Sequence, residues 1–76
     1  MEPLHREIVC LIIRRRSALT LQQMEKSVLG YRSHLIKNAL NLMIIDGHLQ
    51  FDLSHKDRVY YQLTLAGLNA YNEVAS

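Results

Sequence analysis

Apolar residues recur along this chain with two different periods, and the change of period divides it. Leu4, Ile8, Leu11 and Ile12 fall at helical spacing, and Val9 and Ile13 widen the stripe. This predicts a first helix over residues 3–16. Pro3 suits its first turn, where a missing N–H costs nothing. Arg14, Arg15 and Arg16 close it, and cations there complement the negative end of the helix dipole. Ser17 and Ala18 form a short link, and Leu19 is read as a strand of one or two residues. Thr20-Leu21-Gln22-Gln23 has the form of a capping box that opens a second helix. Met24 and Val28 give that helix its inner face and Gly30 its stop. A turn of three residues, from Leu29 to Tyr31, leads to a third helix over Arg32–Ile45. Leu35, Ile36, Ala39, Leu40, Leu42 and Met43 share one side of it, and Ser33, His34, Lys37, Asn38 and Asn41 share the other. Leu40 centres the apolar stripe and is expected to be fully buried. Asp46-Gly47 ends the helix, with Gly47 supplying the left-handed residue.

Beyond Gly47 the period drops to two. Leu49, Phe51 and Leu53 alternate with Gln50 and Asp52, and Val59, Tyr61 and Leu63 alternate with Tyr60 and Gln62. Both runs read as half-buried strands, residues 49–53 and 59–63, joined by the polar loop Ser54-His55-Lys56-Asp57-Arg58. Leu49, Phe51, Val59, Tyr61 and Leu63 are expected to face the helices, since a slip of one residue would expose them all. Thr64 can cap a last helix over residues 65–74, with Leu65, Leu68, Tyr71 and Val74 inward. Gly67, Asn69 and Asn72 are poor helix formers, so tertiary contacts must hold that helix. The order helix-helix-helix-strand-strand-helix predicts one α+β domain over residues 1–76. Its second and third helices have helix-turn-helix proportions.

Composition narrows this picture. Seventy-six residues make one domain, and a core this small needs its 49% hydrophobic content. The lone Cys10 excludes an internal disulfide and is expected to be a buried thiol in a protein of the reducing cytoplasm. Pro3, His5, Arg6 and Glu7 interrupt any leader, and no apolar run approaches membrane-spanning length, so no membrane partner is expected. His5, His34, His48 and His55 contain no i, i+4 pair, and no zinc signature accompanies them. Without a Gly-rich phosphate loop or an adjacent nucleophile and base, neither a cofactor nor an enzymatic role is expected. The net charge of +2 is unevenly spread. Arg6, Arg14, Arg15, Arg16, Lys26, Arg32 and Lys37 face only Glu2, Glu7 and Glu25 in the first 37 residues. Lys56 and Arg58 are outnumbered by Asp46, Asp52, Asp57 and Glu73 in the rest.

Two local motifs carry a resemblance. Ala39-Leu40-Asn41-Leu42-Met43-Ile44-Ile45-Asp46-Gly47-His48-Leu49 resembles the end of a recognition helix, a glycine turn and the entry to a wing. Tyr60-Tyr61-Gln62-Leu63-Thr64-Leu65-Ala66-Gly67 resembles the Y-x-L-T-x-x-G passage from the last wing strand into the following helix. At this separation, flanking a hairpin, they resemble the winged helix-turn-helix transcription regulators, especially the MarR-like and PadR-like branches. The likeness spans about residues 4–74. The chain departs from those branches in having few cations on its third helix and Ile44 and Ile45 where charges are usual. It also lacks long dimerisation helices, so a homodimer is expected to be made by this domain itself.

The resemblance implies that the third helix enters the major groove of double-stranded DNA while the wing reaches phosphate. The implied contacts are Ser33, His34, Lys37, Asn38 and Asn41 on the helix, with Asn suited to adenine and Lys37 to phosphate. His55, Lys56 and Arg58 would serve from the wing, and Tyr31 and Arg32 from the start of the helix. Arg14, Arg15 and Arg16 are assigned to dipole compensation and solubility. Of Ile44 and Ile45, one is expected beneath the hairpin and the other exposed as an interface to a partner protein. The expected function is sequence-specific regulation by operator occupancy as a dimer. The alternative is a winged-helix module that binds a protein rather than DNA.

Overall fold

A computed structural model describes residues 2–72. Among them, helix α1 spans Pro3–Arg15, α2 Leu21–Ser27, α3 Ser33–Ile45 and α4 Leu65–Ala70. Three strands, β1 (Leu19–Thr20), β2 (Leu49–Asp52) and β3 (Tyr60–Leu63), form one antiparallel sheet in the order β1-β3-β2. Leu49 pairs with Leu63 and Phe51 with Tyr61, while Leu19 pairs with Tyr61 from the other side. This is an α+β domain whose element order is compatible with a small winged-helix-like fold.

The local signals act as their chemistry requires. The Thr20 hydroxyl accepts from the Gln23 N–H at 3.1 Å, and the Gln23 side chain accepts from the Thr20 N–H at 2.9 Å. Both bonds of the capping box are therefore made. Ile8 and Val9 of α1, Met24 of α2, Ile36, Leu40 and Met43 of α3, and Leu49 of β2 are the most deeply buried side chains. Tyr61 and Tyr71 complete the core, and burial raises the pKa of both hydroxyls. Gly30 and Gly47 both have positive φ, +89° and +78°, which glycine adopts without steric cost.

The end of β3, α4 and the end of α3 meet at one junction. The Thr64 hydroxyl caps α4 by accepting from the Gly67 N–H at 2.9 Å. It also donates to the Gly47 carbonyl at 2.6 Å, with the His48 carbonyl 3.0 Å away. The Thr64 N–H donates to the His48 carbonyl at 3.1 Å. Gly67 packs so closely here that a Cβ would overlap the His48 carbonyl oxygen and stand 2.9 Å from Leu63 Cδ1. A poor helix former is therefore required at Gly67 by close approach. The His48 ring meets the Tyr71 ring edge-on at 5.4 Å.

Several boundaries and faces differ from the sequence reading. α2 stops at Ser27, and Gly30 lies in the turn beyond it. Leu53 and Val59 fall outside the strands, so the loop between β2 and β3 runs over residues 53–59. Phe51 is 47% exposed and Val59 46%, because the helices cover only the sheet's inner end. Leu35 and Leu42 are also exposed. Their positions extend the apolar arc of α3 past the width that α1, α2 and β2 can cover. α4 is short, and Leu65 and Leu68 lie exposed beside the buried Gly67 and Tyr71. Val74 falls outside the described residues. Cys10 is half-buried rather than enclosed, because it lines a cleft between α1 and the end of α2.

Candidate nucleic-acid interface

The site is built on the outward side of α3. Ile36, Ala39, Leu40 and Met43 bury one side of that helix, which turns His34, Lys37, Asn38 and Asn41 to solvent. No side-chain hydrogen bond among the described residues engages any of these four. Two uncommitted amides, an imidazole and an ammonium thus share one helical face, with both donors and acceptors free.

The start of α3 is different. Arg32 is exposed and occupies the N-cap position without capping through its side chain. Tyr31 is half-buried against the core. The Ser33 hydroxyl donates to the Glu25 carboxylate of α2. That bond fixes α2 to the first turn of α3 and places an anion near the positive end of its dipole. Ser33, expected as a contact, is thus already engaged within the protein.

Two apolar features border the polar face. Ile45 is 77% exposed, while Ile44 packs against the core. Ile45 is thus the exposed member of the pair. Leu35, Asn38, Ala39 and Leu42 form one wall of a groove of about 310 Å³ against Pro3, Leu4 and Tyr31. Sequence reasoning missed this groove. The available signal was the breadth of the apolar arc, since Leu35 and Leu42 sit at its edge.

At the hairpin tip His55, Lys56 and Arg58 are exposed. Asp52 accepts from the Ser54 hydroxyl at 2.6 Å and from the Ser54 N–H at 3.0 Å. These bonds stabilise its carboxylate and lower its pKa. His55 Nε2 stands 3.9 Å from the same carboxylate, and its ring lies 4.2 Å from that of Tyr60. His55 is therefore held by its neighbours, while Lys56 and Arg58 have no carboxylate within ion-pair distance among the described residues. Asp52 and Asp57 offset their charge, so the tip is nearly neutral when His55 is neutral.

Among the described residues, no group of three His, Cys, Asp or Glu side chains is placed to hold a metal ion. No helix among them is long and apolar enough to cross a membrane. Comparison with protein-family models, curated proteins and solved structures finds no match to this chain.

Proposed function

We propose that this domain is a winged helix that binds double-stranded DNA through the outward face of α3 and regulates by occupying its site. One observation carries the reading: His34, Lys37, Asn38 and Asn41 lie together on an exposed helical face, with no side-chain hydrogen bond to any of them among the described residues. That face follows a helix and a tight turn, and a two-stranded hairpin follows it in the chain. Asn can make paired hydrogen bonds to adenine in the major groove, and Lys37 suits a phosphate. Lys56 and Arg58 add phosphate contacts from the wing. With so few cations on α3, one domain binds weakly, and a dimer on two half-sites supplies the remaining affinity.

The test is titration of random and selected duplexes at several salt concentrations. A DNA binder loses affinity steeply as salt rises, because each neutralised phosphate releases counterions. Asn41→Ala is expected to lose about 1–3 kcal/mol of discrimination at one base pair. Lys37→Ala is expected to weaken all duplexes alike and reduce the salt slope by roughly one. The absence of salt-dependent binding to every duplex would defeat the reading. Exposure of Leu35, Leu42 and Ile45 on the same helix favours a second reading, a protein-binding module. In that case the partner would cover these three residues and the adjoining groove.

A further inference from the structure

Side chains on the inner face of the sheet form rows across its strands, and one row is cut short. Leu19 of β1 lies opposite Tyr61 of β3, and Tyr61 lies opposite Phe51 of β2. Leu19 and Tyr61 are buried, whereas Phe51, with its ring 5.4 Å from that of Tyr61, is half exposed. Among the described residues nothing continues the row, because the order β1-β3-β2 leaves β2 at an edge.

The backbone of that edge is open too. β3 engages β2 from one side only, and among the described residues no backbone bond outside the sheet reaches residues 49–53. Edge strands commonly block further pairing with Lys, Pro or a bulge. β2 reads Leu-Gln-Phe-Asp, without Lys or Pro, and its four pairs with β3 run in step without a bulge. The opposite edge, β1, is two residues long and runs directly into α2.

We propose that this edge pairs antiparallel with the β2 edge of a second copy, about a two-fold axis at Phe51, to make one continuous sheet. The occupant is a second copy because the strand is complementary to itself. Residues that pair must share a face, so the axis sets one residue opposite its own copy. With Phe51 there, the two Phe51 rings meet and each Leu49 meets the second copy's Leu53. The exposed outer end of each strand thus lies beside the buried inner end of the other, which covers Phe51 and Leu53. On the other face Gln50 meets Asp52. Gln50 Nε2 donates one N–H to Gln62 at 3.0 Å and keeps a second N–H to give. Asp52 accepts both Ser54 bonds at Oδ1, which leaves Oδ2 to receive it. The one charge of the strand therefore falls opposite an amide and not opposite its own copy. An axis at Gln50 would instead set Leu53 opposite Gly47 and leave it bare. A four-residue edge buries little beside the roughly 800 Å² per partner of a stable interface, so the dimer is weak and dilute protein is monomeric. The contact stands independently of the DNA-binding reading.

The experiment needs no DNA. In the whole chain carrying Cys10→Ser, a single cysteine is introduced by Phe51→Cys, Gln50→Cys or Ile45→Cys, and disulfide-linked dimer is followed during mild oxidation of concentrated protein. Residues directly opposite in an antiparallel pair have Cα atoms about 4.5–5.5 Å apart, within reach of a disulfide. The two copies of residue 50 would lie on a diagonal about 7–8 Å apart, beyond easy reach. Ile45, exposed on α3, reports random collision or a helix-mediated dimer. Phe51→Cys is expected to cross-link at least about tenfold faster than either of the others. Rates at residue 50 or 45 that equal or exceed the rate at residue 51 overturn the proposal and leave the α3 reading standing. Selective cross-linking at residue 51 by a chain that binds no duplex supports the contact and removes the α3 reading. Sedimentation of the chain over a range of concentrations gives a second measure. Phe51→Lys sets two ammonium groups opposite each other and is expected to weaken association at least about tenfold. A folded Phe51→Lys variant that associates like the parent overturns the proposal. Should that variant unfold, Leu53→Lys, at an exposed residue outside the strands, is expected to weaken association as well, and an unchanged association overturns the proposal.

Discussion

At the inner end of the β2–β3 hairpin Leu49 is buried against the helices, opposite Leu63, and Thr64 and Gly67 fasten α4 to the His48 carbonyl. At the outer end Leu53 is 70% exposed, and neither it nor Val59 joins a strand. The same alternation of apolar and polar residues generates both ends. Alternation decides which face a side chain takes, whereas burial depends on what lies over that face. The helical layer ends near Phe51, so one pattern gives a fixed inner end and a free outer one. The inner end is buried in the core, and the outer end is open to solvent.

The largest expected effect tests the inner end. Leu49→Ala should cost about 2–5 kcal/mol, the usual loss for a buried large-to-small change. A domain of this size has only about 4–11 kcal/mol of stability, so the variant should unfold at much lower urea. A midpoint close to the parent's would show that Leu49 is not under load. Next comes Gly67→Ala, where two effects oppose. Helix propensity alone would favour alanine by about 1 kcal/mol. The added Cβ, however, meets a backbone carbonyl that has little freedom to move. The clash should prevail, with a net loss of about 1–3 kcal/mol. A gain in melting temperature would show that α4 is not tied to His48. Thr64→Val should cost about 0.5–2 kcal/mol, because it removes the cap of α4 while keeping a branched side chain of similar shape. Urea unfolding measures this, and an unchanged midpoint would separate the cap from the stability of the inner end.

How far the sequence could be read follows the range of each interaction. The capping box at Thr20 and Gln23 and the buried row Ile36, Leu40 and Met43 were legible because they depend on spacing within one helix. The pairing of Leu49 with Leu63 was legible because alternation leaves few registers. Gly67 was legible only as a poor helix former, since its reason is a carbonyl nineteen positions earlier. At Leu35, Leu42, Phe51 and Val59 the apolar pattern does not fix depth, because burial depends on what packs over each position. For the site, the outward face of α3 was readable from periodicity. The Ser33–Glu25 and Arg15–Ser27 bonds were not, because long side chains choose partners only after helices have packed. The first of them separates Ser33 from its uncommitted neighbours, and the second ties the end of α1 to the end of α2.

The smallest expected effect tests the outer end. Leu53→Ser and Val59→Thr each remove apolar surface from residues that already meet water. Neither lies in a strand, so no strand pairing depends on them. Substitutions at such positions usually change stability by about 0.5 kcal/mol or less. Both variants should therefore unfold at nearly the parent's urea midpoint, in contrast to Leu49→Ala on the same alternating pattern. The contrast must also survive in combination. Leu53 and Val59 are the first residues beyond the last pair, Asp52 with Tyr60, so the double variant tests whether their side chains touch across the loop mouth. Independent surface changes add, whereas contacting residues deviate from additivity by about 0.5–3 kcal/mol. A double variant that loses about as much as the sum of the singles leaves the outer end free of the core. A loss above about 1.5 kcal/mol in either single variant would show that the tip folds onto another surface, and the division between the two ends would fail.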